Sequence, residues 1–350
     1  MNIVYAADDN YAYLAGISIE SLYINNSTEK EINVYILDDG ISSKNKDTLN
    51  LIADKYNRII NYIDVAGFIG EISNITTVSY GLDQKVSYTA YARFFIDKLL
   101  PSLDKVIYLD CDTLVVGKLS ELFNYNMSKN AVIAMVADCT HHEYIKTLGI
   151  SGDSTYFNTG VMLLDIKRWR DLKCTDMILK HMKEVRSNYP LVDQDIINVV
   201  LGDKIDKVHL KYNLQTPNFM YHKYKTVCRV YGLCASNYYD KDEHNEAMKK
   251  PVVIHFSGTS FVRPWYSNSN HPMKKIYMEY YLNNPFFDEI EYEKRRFKVT
   301  DSVKIRYLMY KYLPQGINGV ISGYCMKKWI RKAYIGKNAI WYRDNNINVE

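Results

Sequence analysis

The chain is expected to be an α/β protein built on a doubly wound, parallel sheet. Short apolar runs alternate with segments of helical apolar spacing, and that order builds strand–helix–strand units rather than hairpins. Acidic clusters follow three of the strand-like runs, and ligands in such sheets bind beyond the carboxyl ends of the strands. The 350 residues accommodate one large domain with an appendage, or two domains.

Ile3-Val4-Tyr5-Ala6-Ala7 reads as the first strand and leads into Asp8-Asp9-Asn10. It begins almost at the first residue, without the basic and long apolar regions of a signal peptide, so export by that route is not expected. Leu14 to Leu22 has helical spacing. Val34-Tyr35-Ile36-Leu37 is the second strand and precedes Asp38-Asp39-Gly40; Leu49 to Ala53 is helical, and Ile59-Ile60-Asn61-Tyr62-Ile63 is the third strand. A helix is expected from about Tyr88 to Leu100, stopped by Pro101. It carries Arg93 inside Tyr91-Ala92-Arg93-Phe94-Phe95. A buried arginine needs a partner, here either a structural ion pair or an anionic ligand or metal-bound aspartate.

Val106-Ile107-Tyr108-Leu109 is a further strand, and Asp110-Cys111-Asp112 follows it directly. In extended backbone, side chains at i and i+2 project to one side, so both carboxylates can face one divalent cation. The plainer alternative is a polar strand end leading into a turn. Two more pairs have this spacing, Asp193/Asp195 and Asp240/Asp242. The latter has no strand before it and reads as a solvated loop. Ile178, Met182 and Val185 mark one face of a helix ending before Pro190, and another helix begins near Asp193 and runs through Ile196, Ile197 and Val200. Asp193 can be that helix's N-cap. His255 follows the apolar run Val252-Val253-Ile254 and precedes Phe256-Ser257-Gly258. It is either a hydrogen-bonded structural histidine or a metal ligand, and Gly258 would let a phosphate approach the backbone closely.

Neither a dinucleotide G-x-G-x-x-G nor a P-loop is present. A diphosphate would then be held through Mg²⁺ or Mn²⁺ on carboxylates, and an imidazole in the set favours Mn²⁺. The six cysteines have no CxxC pairing and no histidine at zinc spacing, and no run approaches a membrane span of roughly 18 residues. Reduced thiols in a cytoplasmic protein are expected. The net charge of +4 is unevenly spread: from Glu291 onward Lys and Arg outnumber Asp and Glu by 13 to 5. That region interleaves Lys304, Arg306, Lys311, Lys327, Lys328, Arg331 and Lys332 with Tyr307, Tyr310, Tyr312, Trp329 and Tyr334. It suits an anionic membrane surface, or else a solvated helical subdomain packing its aromatics onto the rest of the chain. Nucleic acid is not expected, because no recognised module accompanies the charge.

Taken in order, Ala6-Ala7-Asp8-Asp9-Asn10-Tyr11, Tyr91-Ala92-Arg93, Tyr108-Leu109-Asp110-Cys111-Asp112, Tyr156-Phe157-Asn158-Thr159-Gly160-Val161, Asp193-Gln194-Asp195, His255-Phe256-Ser257-Gly258 and Pro264-Trp265 closely resemble the family 8 retaining glycosyltransferases. The resemblance is to the bacterial lipopolysaccharide galactosyltransferase and glucosyltransferase branch and spans roughly Met1 to Pro272. It implies a single Rossmann-like nucleotide-diphospho-sugar transferase domain, the A-type glycosyltransferase fold, over residues 1–283, with a helical, basic C-terminal extension over 284–350. It further implies UDP-galactose or UDP-glucose as donor, Mn²⁺ with Mg²⁺ as the alternative, and a glycan or lipid-linked oligosaccharide as acceptor. Ala6, Asp8, Asn10 and Tyr11 would line uridine and ribose, with Gly258 and Arg263 at the diphosphate, while Asp110, Asp112 and His255 would hold the metal. Arg93, Asn158, Thr159, Asp193 and Gln194 would surround the donor sugar, with Asp138 and Asp195 beside it, and Gln194 and Asp195 would be the catalytic pair.

One stretch departs from the family pattern His-x-x-Gly-x-x-Lys-Pro-Trp. Here Arg263 replaces Lys and two extra residues precede it, and Arg and Lys are not interchangeable at such a position. Two rival readings remain. Val106 to Val115 also resembles the nucleophile motif of haloacid dehalogenase-type phosphatases, with Gly202-Asp203-Lys204-Ile205-Asp206 imitating their acidic motif. A non-catalytic sugar-nucleotide or glycan-binding protein is the other. The expected location is the cytoplasm, peripheral to the membrane's cytoplasmic face if the C-terminal region binds lipid.

Overall fold

The structure, a computed structural model, describes residues 1–73, 88–185, 189–258, 261–289 and 291–335. A seven-stranded sheet runs in the order β3-β2-β1-β4-β7-β6-β8. Its strands are β1 (Asn2–Asp8), β2 (Asn33–Asp39), β3 (Ile60–Asp64), β4 (Lys105–Leu109), β6 (Ile133–Ala137), β7 (Phe157–Asp165) and β8 (Ile205–Lys207). A second sheet joins β5 (Thr113–Val115), β10 (Val253–His255) and β9 (Leu214–Gln215), in that order.

The main sheet is not wholly parallel as expected. β7 runs antiparallel to both β4 and β6. Eight of its nine residues are buried, and a strand covered on both faces gives a continuous apolar run that carries no signature of direction. The reversal places the site. Because β7 starts where β4 ends, Asn158-Thr159-Gly160 lies at the same edge as Asp110, whose N–H donates to the Gly160 carbonyl at 2.8 Å. In the second sheet β10 is antiparallel to β5 with His255 opposite Thr113, and the Phe256 N–H donates to the Asp112 carbonyl at 3.0 Å. This register sets His255 beside Asp112 across 143 positions of sequence.

The helices follow their expected segments, with informative differences. Helix Ala12–Asn25 is buried continuously from Ala12 to Tyr23, being packed between helix Ser43–Lys55, β5 and the segments Lys274–Tyr281 and Phe286–Glu289. The single helix expected from Tyr88 to Leu100 is a 3-10 helix over Tyr88–Phe95 followed by one α-turn over Ile96–Leu99. Side chains three apart eclipse in a 3-10 helix, and Tyr88, Tyr91 and Phe94 do so, with ring centroids 6.4 and 5.5 Å apart. Asp240 does not lie in a structureless loop. Its carboxylate accepts from the Asp242 and Glu243 N–H groups and caps helix Lys241–Lys249, the local bonding that favours aspartate at helix starts.

The basic region forms helices Asp301–Tyr312 and Gln315–Tyr334. The second packs on helix Tyr224–Tyr231. A Cβ at Gly319 would lie 2.7 Å from Thr226 Cγ2, and one at Gly323 would lie 3.1 Å from the Arg229 carbonyl. Tyr310 meets Phe261 edge to face at 5.0 Å. Ile305, Leu308, Tyr312, Val320, Tyr324 and Trp329 remain exposed. Among the described residues no helix is long and apolar enough to cross a membrane.

Gly16 makes a close contact on the buried first helix: a Cβ there would lie 2.6 and 2.8 Å from the Phe286 ring and 3.1 Å from Ile52 Cδ1. Gly16→Ala should overpack this contact and lower unfolding stability by about 1–3 kcal/mol, read as a shift in the urea midpoint at unchanged slope.

Candidate functional site

Asp110-Cys111-Asp112 forms the turn between β4 and β5, closed by Thr113, whose N–H and hydroxyl donate to the Asp110 carbonyl at 3.1 and 2.7 Å. Cys111 points inward, its thiol donating to the Ala6 carbonyl at 3.2 Å. The backbone here is a turn and not the extended segment expected from sequence, yet it too presents both carboxylates to His255. Its Nε2 lies 3.1 Å from Asp112 Oδ1 and 3.8 Å from Asp110 Oδ2, and one ligand atom from each of the three lies within 4.8 Å of the others. Asn213 orients the ring. Its amide nitrogen donates to Asn158 Oδ1 at 2.8 Å, which turns its oxygen toward His255 Nδ1 at 3.0 Å. Nδ1 therefore donates to Asn213, and Nε2 is the ring atom turned toward the carboxylates, the orientation a metal-binding imidazole requires.

The electrostatics agree with that assignment. Burial alone would lower the His255 pKa, but Asp112, Asp110 and Asp138 raise it. Burial would likewise raise Asp112, yet His255 and Arg263 hold its carboxyl down to about 2. Two carboxylate oxygens and one imidazole nitrogen fit a divalent cation.

Arg93 is the buried cation beneath this turn. It pairs with Asp110 Oδ1 at 2.8 Å and with Asp193 Oδ2 at 3.2 Å, donates to the Thr159 and Ala90 carbonyls, and lies over the Tyr108 ring at 4.4 Å. Both readings of this residue hold together: it is an ion-paired arginine, and one partner is a candidate metal ligand. Burial opposes its charge and the two aspartates more than restore it.

Asp193, Gln194 and Asp195 open helix Val192–Leu201 and point three ways. Val192 has φ +52°, a left-handed conformation that β-branched residues rarely adopt, at a cost of about 1–3 kcal/mol. Asp193 is not the N-cap, a position held by Leu191 without a side-chain bond; it faces Arg93 and accepts from the Thr159 hydroxyl at 3.0 Å. Gln194 Oε1 accepts from Asn158 Nδ2 at 3.0 Å and from Thr159 N–H at 3.4 Å, while its Nε2 donates to Asp138 Oδ2 at 3.3 Å. Asp195 departs from its expected part. It is completely buried, and its oxygens accept from Tyr156 at 2.5 Å, Tyr144 at 2.6 Å and Leu191 N–H at 2.7 Å. Burial raises its pKa to about 6. With both oxygens occupied behind the helix, Asp195 anchors Gln194 and presents no nucleophile.

The other edge residues divide between exposed ones and ones held in structural pairs. Asp8 accepts from Tyr11 N–H at 3.0 Å, and Asn10 and Tyr11 are exposed past Ala6 on β1. Gly258 has φ +72° with open space where a Cβ would stand. Arg263 stacks on Trp265 at 5.4 Å, and its charge acts on both Tyr11 and Asp112. Of the four residues between Gly258 and Arg263, 259–260 lie outside the described residues, while Phe261 and Val262 are buried. Asp38 is spent on Lys46 and the Ile41 N–H, and Asp39 on Thr89. Asp203 pairs with Lys204 and Asp206 with Ser128. They flank the start of β8, which runs parallel to β6, so they lie at the amino edge, away from Asp110. The phosphatase-like motif is not assembled.

Asn213 was not singled out from sequence. Its only local sign is an asparagine just ahead of a two-residue strand, and its importance comes from β9 pairing with β10.

Residues 2–269 match the model of Glycosyl transferase family 8, and the chain belongs to that family. General stress protein A of Bacillus subtilis (strain 168) is 30% identical over 285 residues, covering 80% of this chain and 92% of that protein. Lipopolysaccharide 1,2-glucosyltransferase of Escherichia coli (strain K12) is 26% identical over 351 residues, covering 95% and 92%. The galactosyltransferase LgtC, solved in complex with donor and acceptor sugar analogues, shares the fold with TM-score 0.65 at 22% identity, over 87% of this chain and 100% of that one.

Asn213→Ala should leave the carboxylates in place but release the imidazole. Mn²⁺ affinity, read by calorimetric titration, should fall about 10–100-fold; unchanged affinity would exclude the three-residue metal set oriented through Nδ1.

Proposed function

We propose that the chain is a divalent-metal-dependent, retaining hexosyltransferase that moves galactose or glucose from a UDP-sugar to a hydroxyl of a glycan or lipid-linked oligosaccharide, in lipopolysaccharide or other surface-polysaccharide synthesis. One observation carries the reading: the Asp110–Asp112–His255 cluster and the Gln194–Asn158–Asp138 cluster lie on one sheet edge, joined through Asn213. One can hold a metal diphosphate and the other a sugar attached to it. Family membership and the lipopolysaccharide relative support the reaction class.

The metal, held by Asp110, Asp112 and His255, would supply Lewis-acid stabilisation of the departing diphosphate. Arg263 adds positive charge on the same side, and Tyr11 and Gly258 shape the nucleotide end. Among the described residues, no carboxylate near Gln194 is free to attack. Asp193 is committed to Arg93, Asp195 is sealed, and both Asp138 oxygens accept hydrogen bonds from Thr140, Asn158 and Gln194. This favours front-side transfer over the covalent route of retaining glycosidases. The anomeric carbon–phosphate oxygen bond breaks, the acceptor oxygen bonds to the same face, and its proton passes to the leaving diphosphate. The Gln194 amide oxygen stabilises the positive charge that builds on the sugar.

UDP release should appear with UDP-galactose or UDP-glucose plus Mn²⁺ and vanish on chelation. Gln194→Ala should lower kcat by about 100-fold at unchanged Mn²⁺ affinity. Phosphate release from sugar phosphates without UDP release would support the phosphatase instead, and metal binding without turnover of any donor would support a binding protein.

We also infer that the protein is cytoplasmic and attaches to the membrane's cytoplasmic face. Exposed Ile305, Leu308, Tyr312, Tyr324 and Trp329 sit among the cations of the last two helices, the composition of an interfacial surface. In sedimentation with phosphatidylglycerol-containing vesicles, Leu308→Ser/Tyr324→Ser/Trp329→Ser should abolish binding; undiminished binding by this triple variant would defeat the assignment.

A further inference from the structure

The β6–β7 connection carries Asp138 into the site and then the short helix His142–Thr147. Residues on this helix reach in opposite directions. Tyr144 reaches inward and donates to Asp195 at 2.6 Å. Its neighbour Glu143 faces the C-terminal helix Gln315–Tyr334, pairing with Lys327 at 2.9 Å and Arg331 at 3.1 Å. Only 14% of the Glu143 side chain is exposed. Burial would raise its carboxyl, and the two cations instead hold it at about 2.

The C-terminal helix is built to deliver those cations. Gly319, Gly323, Lys327 and Arg331 recur at four-residue spacing, which keeps them on one slowly turning stripe. The two glycines admit helix Tyr224–Tyr231 to close contact, and one turn further on the stripe changes from contact to charge. The short helix is also braced where the Tyr224–Tyr231 helix ends. Gly232 there has φ +64°, and a Cβ on it would fall 2.0 Å from His142 Nδ1. The His142 ring stacks on His141 at 4.5 Å, and His141 Nδ1 accepts from the Glu143 N–H.

We propose that Glu143 is a positioning residue, a latch by which the docked C-terminal helix sets the geometry of Gln194. Its pairs with Lys327 and Arg331 fix the short helix, Tyr144 transmits that position to Asp195, and Asp195 holds the first turn of the Gln194 helix through the Leu191 N–H. The basic region then acts on the reaction itself and not only on where the protein sits. Its consequence for turnover rests on the transferase reading; the latch does not.

The test uses the full chain with Glu143→Lys, Lys327→Glu/Arg331→Glu and the three changes combined. Each reversal should lower kcat for UDP release about 10-fold with the donor KM within about twofold. Mn²⁺ affinity should stay unchanged, and amide exchange across 189–201 should accelerate. The combined variant, which restores opposite charges, should recover kcat to within about threefold and return exchange to the wild-type rate. Wild-type kcat and exchange in the single reversals would overturn the proposal, as would a folded combined variant no better than either. If charge reversal prevents folding, Glu143→Gln and Lys327→Gln/Arg331→Gln replace it, and unchanged exchange in both overturns the latch. A wild-type chain that releases no UDP defeats the transferase reading, while the exchange measurement still decides the latch.

Discussion

The site is organised around one buried cation. Arg93 sits between Asp110 and Asp193, and a guanidinium so enclosed persists only where its charge and its N–H groups are met. Removing one partner of such a pair typically costs about 3–5 kcal/mol, so the segments carrying the partners are bound to converge. Those segments are the end of β4, the start of β7 through the Thr159 carbonyl, and the first turn of the Gln194 helix. Asp110 meets Arg93 with one oxygen and turns the other toward His255. A structural pair and a candidate metal ligand are therefore one residue.

Around that pair runs a continuous chain of amide hydrogen bonds. His255 is fixed by Asn213, Asn213 by Asn158, and Asn158 by Asp138 and Gln194. Buried polar networks of this kind specify a single arrangement when every member is satisfied. The Asp110–Asp112–His255 cluster and the Gln194–Asn158–Asp138 cluster are in consequence joined by one hydrogen-bonded network. Gly160 is part of the same fit, since a Cβ there would lie 2.3 Å from His255 Cε1. Val192 stores strain at this place, and the hydrogen bonds of Asp195 behind it hold that strained turn.

The C-terminal helices extend this frame rather than hanging from it. Glycines on the last helix let it approach another helix closely, and its cations reach Glu143. Apolar side chains on its remaining surface stay exposed. One element thus has a face committed to the body of the protein and a face available to something outside it.

Much of this was legible in the chain itself, because local chemistry has local signatures. Apolar runs ending in acidic clusters located β1, β2 and β4 and the edge that carries the site; Asp110 and Asp112 do share a side, but through a turn and not through the extended alternation that the sequence suggested. Ordered motifs identified the family before any contact was known. Direction, register and burial were not legible, since they depend on pairings between distant segments. A doubly buried strand reads alike in either direction, so the reversal of β7 was missed. Asp195 resembled its neighbours until packing placed two tyrosines on it, and Asn213 acquired its part only when β9 met β10. Sequence determined which groups are present; tertiary structure decided which groups meet, because only folding brings residues 112, 158, 194, 213 and 255 within hydrogen-bonding reach.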